Sequence, residues 1–315
     1  MRKQLLSLLC CPSCGSCNLG LETEHEEAQE IRHGMVLCPS CSARYAIVDG
    51  VAELLAPLDE DTLRERVARN RQRDWDIERK RPFIEDVPGF PWIWPGVAAN
   101  VLQGMEQLNL KGARVLDLGP GTCWSTRMLC ERGANAVALD ISTDMLCDGE
   151  AQFGGVFFDR IAATMQTIPF QNQSFDAVFA SASIHHTSDL GRTFAEIARV
   201  LRPGGKVVLV NEPVCGALNN GKNFGRQERE QGMNEHIYYL RDYLASARKS
   251  GIVPLVLFPA ALDGQLRGDL PAPPGWRFRL ARHLFGHLPT KLRHLSLIPA
   301  NLVSGSTLIL IGYKV

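Results

Sequence analysis

No apolar run in the 315 residues approaches the roughly 18 needed for a helix to cross a bilayer, so no membrane-spanning helix is expected. Net charge is absent too. The 34 Lys and Arg balance the 34 Asp and Glu, so no global field draws in nucleic acid or an anionic surface, and only local patches could. The start, Met1-Arg-Lys-Gln-Leu-Leu-Ser-Leu-Leu-Cys10, has basic residues before a short apolar stretch but no small-residue cleavage site, so it reads as cytoplasmic rather than exported. What is present is ordinary for a globular protein, 45% hydrophobic and 22% charged, at a length that suits one α/β domain with additions.

Cysteine is unevenly spread. Six of the ten lie before residue 42, and one tetrapeptide occurs twice, as Cys11-Pro-Ser-Cys14 and Cys38-Pro-Ser-Cys41. A Cys-x-x-Cys turn aims two thiolates at one point, and two such turns complete a tetrahedral sulfur site that favours zinc. The repeated frame selects Cys11, Cys14, Cys38 and Cys41 as ligands and leaves Cys10 and Cys17 outside. Disulfides are the alternative, disfavoured without an export signal. A redox pair would not need a duplicate. Four thiolates leave no open coordination position, so the metal is expected to be structural, and so small a unit would need it to fold.

From Ala113 onward strand and helix patterns alternate, which implies a parallel sheet with helices on both faces. Strands are expected at 114–118, 136–140, 156–162, 175–181, 206–211, 253–258 and 307–313, and helices at 124–132, 142–152, 190–201 and 240–250. The first strand runs into Val115-Leu-Asp-Leu-Gly-Pro-Gly-Thr122, where Gly119 and Gly121 turn the chain sharply and leave amide groups free to approach a ligand. Asp140 ends the next apolar run, where an acid can accept hydrogen bonds from a ribose. The pair implies an adenosine-bearing cofactor, with NAD, FAD and S-adenosylmethionine as the choices. A dinucleotide fingerprint needs a third glycine, which Gly119-Pro-Gly-Thr-Cys-Trp124 does not offer. Asp117 also suits a cationic or hydroxylated ligand better than a pyrophosphate.

Three downstream stretches sharpen the choice: Ile168-Pro-Phe-Gln-Asn-Gln-Ser-Phe-Asp176-Ala-Val, Ile184-His-His186 and Val200-Leu-Arg-Pro-Gly-Gly-Lys206. With the glycine loop they form a pattern, over roughly Ala113 to Pro213, that resembles class I S-adenosylmethionine-dependent methyltransferases of the small-molecule type. The resemblance implies a Rossmann-like, seven-stranded α/β sheet. It also implies that Asp117, Gly119 and Gly121 lie beside the methionine part, Asp140 holds the ribose, Ile141 packs on the adenine, Thr164 and Met165 meet the adenine edge, and Ser181 completes the set. Two departures stand out. Thr164-Met165-Gln166 replaces the family's usual Asp-Ala pair, and Cys123 replaces the loop's third glycine.

At the other end, Leu8-Leu-Cys-Cys-Pro-Ser-Cys14 and Val36-Leu-Cys-Pro-Ser-Cys-Ser-Ala-Arg-Tyr-Ala-Ile-Val-Asp-Gly-Val51 resemble the small zinc-ribbon β units of methyltransferase-activator subunits. That resemblance implies a ribbon paired with, or fused to, a methyltransferase. The organisation expected is a ribbon over 1–57, a helical linker and lid over 58–112, a cofactor core over 113–258 and a substrate-side insertion with the last strand over 259–315.

Methyl transfer to oxygen usually needs a base. His185 and His186 follow the fourth strand and Glu212 the fifth, while Glu235 and His236 form an acid/base pair within Gly232–Tyr239. Each has a plainer reading: His186 bonding the next loop, Glu212 capping the segment after it, and Asn234 capping a helix. The charged stretch Asp59–Asp86 reads as a solvated helix face. Pro88–Pro95 reads as a packed linker or a lid, with a helix over Pro95–Leu110. Pro259–Ser304 carries Arg267, Arg277, Arg279, Arg282, Lys291 and Arg293 against Asp269 from Gly264 onward, with Trp276, Phe278 and Phe285 among them. Such a surface binds RNA, an acidic substrate or a membrane face, or is an amphipathic cap. The function expected is methylation of a small molecule such as a natural-product or glycan intermediate. One alternative is an rRNA or tRNA methyltransferase gripping RNA through its zinc module, against which the acidic run Glu22–Glu30 argues. The other is a non-catalytic scaffold with a vestigial cofactor fold.

Overall fold

The computed structural model describes residues 1–75, 93–216, 226–230, 232–272, 274–293, 295 and 307–315. The expected lid over 88–92, the charged stretch beyond 75 and the insertion over 296–304 lie outside them.

The apolar runs make the centre of the molecule. Strands β5 (Arg114–Leu118), β6 (Asn135–Asp140), β7 (Asp159–Ala162), β8 (Phe175–Ser181) and β9 (Leu201–Pro213) pair in parallel in the order β7-β6-β5-β8-β9. Val115, Leu116, Leu139, Ile161, Val178 and Val208 on them are buried, as a sheet covered on both faces requires. Beyond β9 the last strand, β11 (Thr307–Lys314), inserts antiparallel between β9 and β10 (Ile252–Leu257). Strand order reverses between β5 and β8, the switch point where open α/β sheets collect ligands.

The helices are α1 (Glu60–Trp75), α2 (Ile93–Met105), α3 (Trp124–Glu131), α4 (Thr143–Asp148), α5 (Leu190–Val200), α6 (Arg226–Glu230), α7 (Leu240–Lys249), α8 (Ala260–Arg267) and α9 (Trp276–Phe285). Local signals explain their ends. Asp189 caps α5 by accepting from the Arg192 N–H at 2.9 Å, and the helix buries Leu190, Phe194 and Ile197. The expected helix over 142–152 is α only to Asp148 and then tightens into a 3₁₀ turn over Gly149–Gln152. β9 begins at Leu201 rather than Lys206, because Leu201 already pairs with Phe175 and Gly204, at φ +76°, lets the chain kink without leaving the sheet.

The N-terminal strands extend this same sheet. β1 (Gly20–Glu27), β2 (Glu30–Leu37), β3 (Arg44–Val48) and β4 (Val51–Glu53) form an antiparallel meander. β4 then runs parallel to β7, with Val51 opposite Arg160 and Glu53 opposite Ala162. The expected seven-stranded sheet is present, and the ribbon strands lengthen it to eleven among the described residues. Apolar packing crosses the seam, with Leu5, Leu9, Ile31 and Ile47 in one cluster with Ile161, Ile168 and Phe170. So do buried charges. Arg160, fully buried, donates to Glu30 Oε1 and to the Asp49 carbonyl, each at 3.0 Å. Glu30 also takes the Met1 ammonium and Arg32, while Asp159 takes Arg2.

Candidate active site

The glycine loop sits at the carboxyl end of β5. Gly119 (φ +66°) and Gly121 (φ +56°) occupy the left-handed region, and a Cβ on Gly119 would lie 2.5 Å from that of Ser183. Cys123 takes the same conformation (φ +66°) without being glycine, at about 1 kcal/mol of strain. It is fully buried, and Gly149 makes room: a Cβ there would meet the Cys123 sulfur at 2.6 Å.

Two acids flank the loop. Asp117 is fully buried, and its Oδ2 accepts from Ser125 Oγ and Thr126 Oγ1 at 2.7 Å each. Burial pushes its carboxyl up to about 7 despite the two hydroxyls, with the charge of Asp140 adding to the shift. Its Oδ1 has no partner among the described residues, and a buried carboxylate oxygen in that state calls for a donor such as a ligand ammonium. Asp140 accepts from the Gly121 N–H (3.0 Å) and the Ser142 N–H (2.9 Å), which leaves lone pairs for hydroxyl donors. These features suit a ligand with an ammonium group and a ribose, as S-adenosylmethionine has. Ile141 follows Asp140, half-buried. Thr164 and Met165 are half-buried in a turn closed by a bridge between Thr164 and Thr167, and Met165 packs on the core. Glu196 and Arg199 of α5 hold the neighbouring Ile168–Phe170 segment: Ile168 N–H donates to Glu196 (2.7 Å), and Arg199 donates to the carbonyls of Ile168 and Phe170. Ser181 ends β8 and accepts from Asn211 Nδ2 at 3.2 Å.

Beside this loop the structure gathers histidines and carboxylates from four segments. Glu212, fully buried, accepts from the N–H groups of Ser183, Ile184 and His185 and from His185 Nδ1, all within 2.9–3.1 Å. It is the keystone of the Ile184–His186 turn. His185 Nε2 lies 3.3 Å from Glu235 Oε2, so this imidazole stands between two carboxylates. Burial opposes its charge, but the two glutamates outweigh that and push its pKa up to about 9. His186 behaves oppositely. Burial, Arg69 and His185 hold its pKa well below the usual 6.5. Its Nδ1 pairs with the Asn234 carbonyl at 2.6 Å, so that nitrogen carries the proton and Nε2 keeps its lone pair. Glu65 of α1, 5% exposed, accepts from the Asn234 N–H and Arg69 and lies 3.5 Å from His186.

His186 and Glu212 thus come together, whereas His236 is exposed; its ring makes no hydrogen bond or ion pair with this cluster, although its N–H donates to the His185 carbonyl. Glu65 is the residue of this cluster to which sequence reasoning gives no role. The charged run around it reads as a solvated face. His185, His186 and Glu235 offer ligand atoms within 4.8 Å of one another, so this cluster also has the donor set of a metal site.

At the far edge of the sheet Cys11, Cys14, Cys38 and Cys41 converge, with all four sulfurs within 4.8 Å. The two knuckles fold alike: Gly15 N–H donates to the Cys11 carbonyl and Ser42 N–H to that of Cys38, both at 2.8 Å. Four sulfurs so placed fit a tetrahedral zinc. Cys10 and Cys17, outside that set, are joined by a disulfide, against the expectation that disulfides are disfavoured here.

Comparison with known proteins agrees with this fold. Residues 116–209 match the family model described as a methyltransferase domain. The demethylmenaquinone methyltransferase of Beutenbergia cavernae is 37% identical over 136 residues, 42% of this chain and 54% of that protein. The malonyl-[acyl-carrier protein] O-methyltransferase of Gallionella capsiferriformans is 32% identical over 118 residues, 35% of this chain and 41% of that one. The chain thus spans about half the length of these curated relatives. Among solved structures, geranyl diphosphate C-methyltransferase from Streptomyces coelicolor superposes with a TM-score of 0.55 at 17% identity, covering 82% of this chain and all of that one. A chain from a complex of the Haloferax volcanii Trm112 methyltransferase activator with a candidate methyltransferase gives 0.52 at 18% identity, covering 78% and 96%. The segment from 116 to 209 is therefore a methyltransferase domain, set in a class I methyltransferase fold.

Proposed function

We propose that the chain transfers a methyl group from S-adenosylmethionine to a small-molecule acceptor held at the carboxyl ends of β5, β6, β8 and β9. The observation that carries this reading is the buried Asp117 Oδ1, without a partner among the described residues, two positions before a glycine loop whose other acid, Asp140, keeps lone pairs for hydroxyls. Bound there, the cofactor would supply an electrophilic methyl on its sulfonium. Asp117 would hold the amino group, Asp140 the ribose, Ile141, Thr164 and Met165 the adenine, and Gly119, Gly121 and Ser181 the walls.

The chain's own chemistry lies in the histidine pair. His186, neutral with a lone pair on Nε2, accepts the acceptor's proton. His185 holds a positive charge between Glu212 and Glu235, and Glu212 positions the turn that carries both rings. His236, outside the cluster, contacts the acceptor at the rim. The four ribbon cysteines hold a structural zinc that keeps β1–β4 folded on β7.

The test uses S-adenosylmethionine labelled on the methyl. Incubated with the protein and separate metabolite and RNA fractions of the source cells, label should enter the metabolite fraction and fail to do so with Asp140→Ala. Label in RNA would favour the nucleic-acid reading, and no transfer by the wild type to either fraction would contradict the proposal.

A further inference from the structure

Helix α9 carries two apolar faces, although packing on α8 uses only one. Phe278, Ala281 and Phe285 close over a cluster built on buried Phe258 and Leu266. At about 100° per residue, Trp276, Leu280 and Leu284 fall in one sector of roughly 80° turned the other way. They are 64%, 49% and 56% exposed, and beyond the helix Leu295 is 70% exposed. The sector between the two faces is basic. Arg279, Arg282 and His283 are exposed there, and they line a concavity of about 350 Å³ together with His287 and with Arg267, whose guanidinium is paired with Asp263 and Asp269. From Leu270 to Val315 the sequence holds no Asp or Glu. Arg293 is not part of this surface; 1% exposed, it donates to Asp263 and to the Gly286 and Leu288 carbonyls and so fastens the following segment to α8.

An apolar stripe beside a basic flank on a short helix is the pattern that lies in the plane of a lipid headgroup layer. We infer that α9 docks this chain on an anionic phospholipid surface, its leucines entering the acyl boundary and Arg279 and Arg282 meeting lipid phosphates. Charge decides against a second copy, because a two-fold contact would set these arginines against themselves. RNA would use the cations but leave the leucines in water.

The surface is also tied to the cofactor end. Ala261 N–H donates to Asn100 Oδ1 of α2, and Asn100 Nδ2 donates to Asn211 Oδ1, whose amide reaches Ser181. An acceptor drawn from the bilayer is a corollary that rests on the methyltransferase reading; the docking does not.

The full chain is floated with vesicles of phosphatidylcholine alone or with added phosphatidylglycerol, at low and high salt. It should float with the anionic vesicles, less at high salt. Leu280→Glu and Leu284→Glu should each reduce binding at least about tenfold, and Arg279→Ala about fivefold. Thermal unfolding checks that the glutamate variants fold, and Arg279→Ala decides if they do not. No flotation with anionic vesicles, or flotation unchanged in these variants, overturns the inference. So does a dimer, or RNA binding, that Leu284→Glu abolishes without any vesicle binding. Titration with S-adenosylhomocysteine should be unchanged in every variant, which separates this result from the enzymatic one.

Discussion

The two edges of the sheet are finished in opposite ways. Where the ribbon joins the core, at the β4–β7 seam, charges are buried and paired. Arg160 lies fully inside, bound to Glu30 and to the carbonyls of Leu146, Cys147 and Asp49. At the other edge Val253 and Leu255 of β10 are 56% and 50% exposed, the leucines of α9 are about as exposed, and Arg279 and Arg282 face water. Buried charges must be paired to be tolerated, and pairing them across 130 residues commits the ribbon to one position on β7. The exposed leucines and the exposed Arg279 and Arg282 beside them have no such pairing among the described residues. One edge is therefore finished internally, and the other is open to an outside partner.

Breaking the ribbon edge should have the largest effects. Structural zinc contributes roughly 10–16 kcal/mol to small metal-dependent units. Cys38→Ser should bring the metal content from one per chain to near zero by elemental analysis and abolish amide protection in β1–β3. Unchanged metal content would disprove the ligand set. Next comes the seam. Arg160→Met leaves Glu30 buried with less compensation and should cost about 3–5 kcal/mol in urea unfolding. Adding Glu30→Gln should restore part of that, and strict additivity would show that the two do not act together.

The histidine pair between the edges gives a smaller, pH-dependent effect. His185 holds its proton to about 9 when folded and to 6.5 ordinarily, so its favourable contribution is full below 6.5 and lost as pH rises through 9. The stability gap between wild type and His185→Gln should therefore be on the order of a few kcal/mol at pH 6 and shrink by pH 9.5. A gap that does not vary with pH would remove the charged-histidine assignment. The smallest change should come from the open edge. Leu284→Glu, on a half-exposed side chain, should alter unfolding free energy by less than about 0.5 kcal/mol. A larger loss would mean that α9 is covered within the chain after all.

These contrasts also mark what the sequence made legible. The central strands were readable because they are buried on both faces and so nearly continuous in apolar residues. The knuckles were readable because Cys-Pro-Ser-Cys occurs twice. The joining of ribbon to core was not, since β4 is only three residues long and pairs with a strand more than 100 positions away. Nothing local in Arg160 or Asp159 announces that they hold it. Glu65 escaped for a similar reason: a helix whose sequence is mostly charged still buries this residue, because Asn234 and His186 arrive from distant segments. Cys123 was noticed as a departure from glycine, but only Gly149 explains how its side chain is accommodated.

The central claim is that the acids at the carboxyl ends of β5 and β6 hold an adenosine-bearing sulfonium cofactor. Calorimetric titration of S-adenosylhomocysteine into the full chain and into Asp140→Ala tests it most directly. One site per chain in the wild type, weakened at least about tenfold in the variant, is the predicted result. No heat of binding in the folded wild-type protein would contradict it.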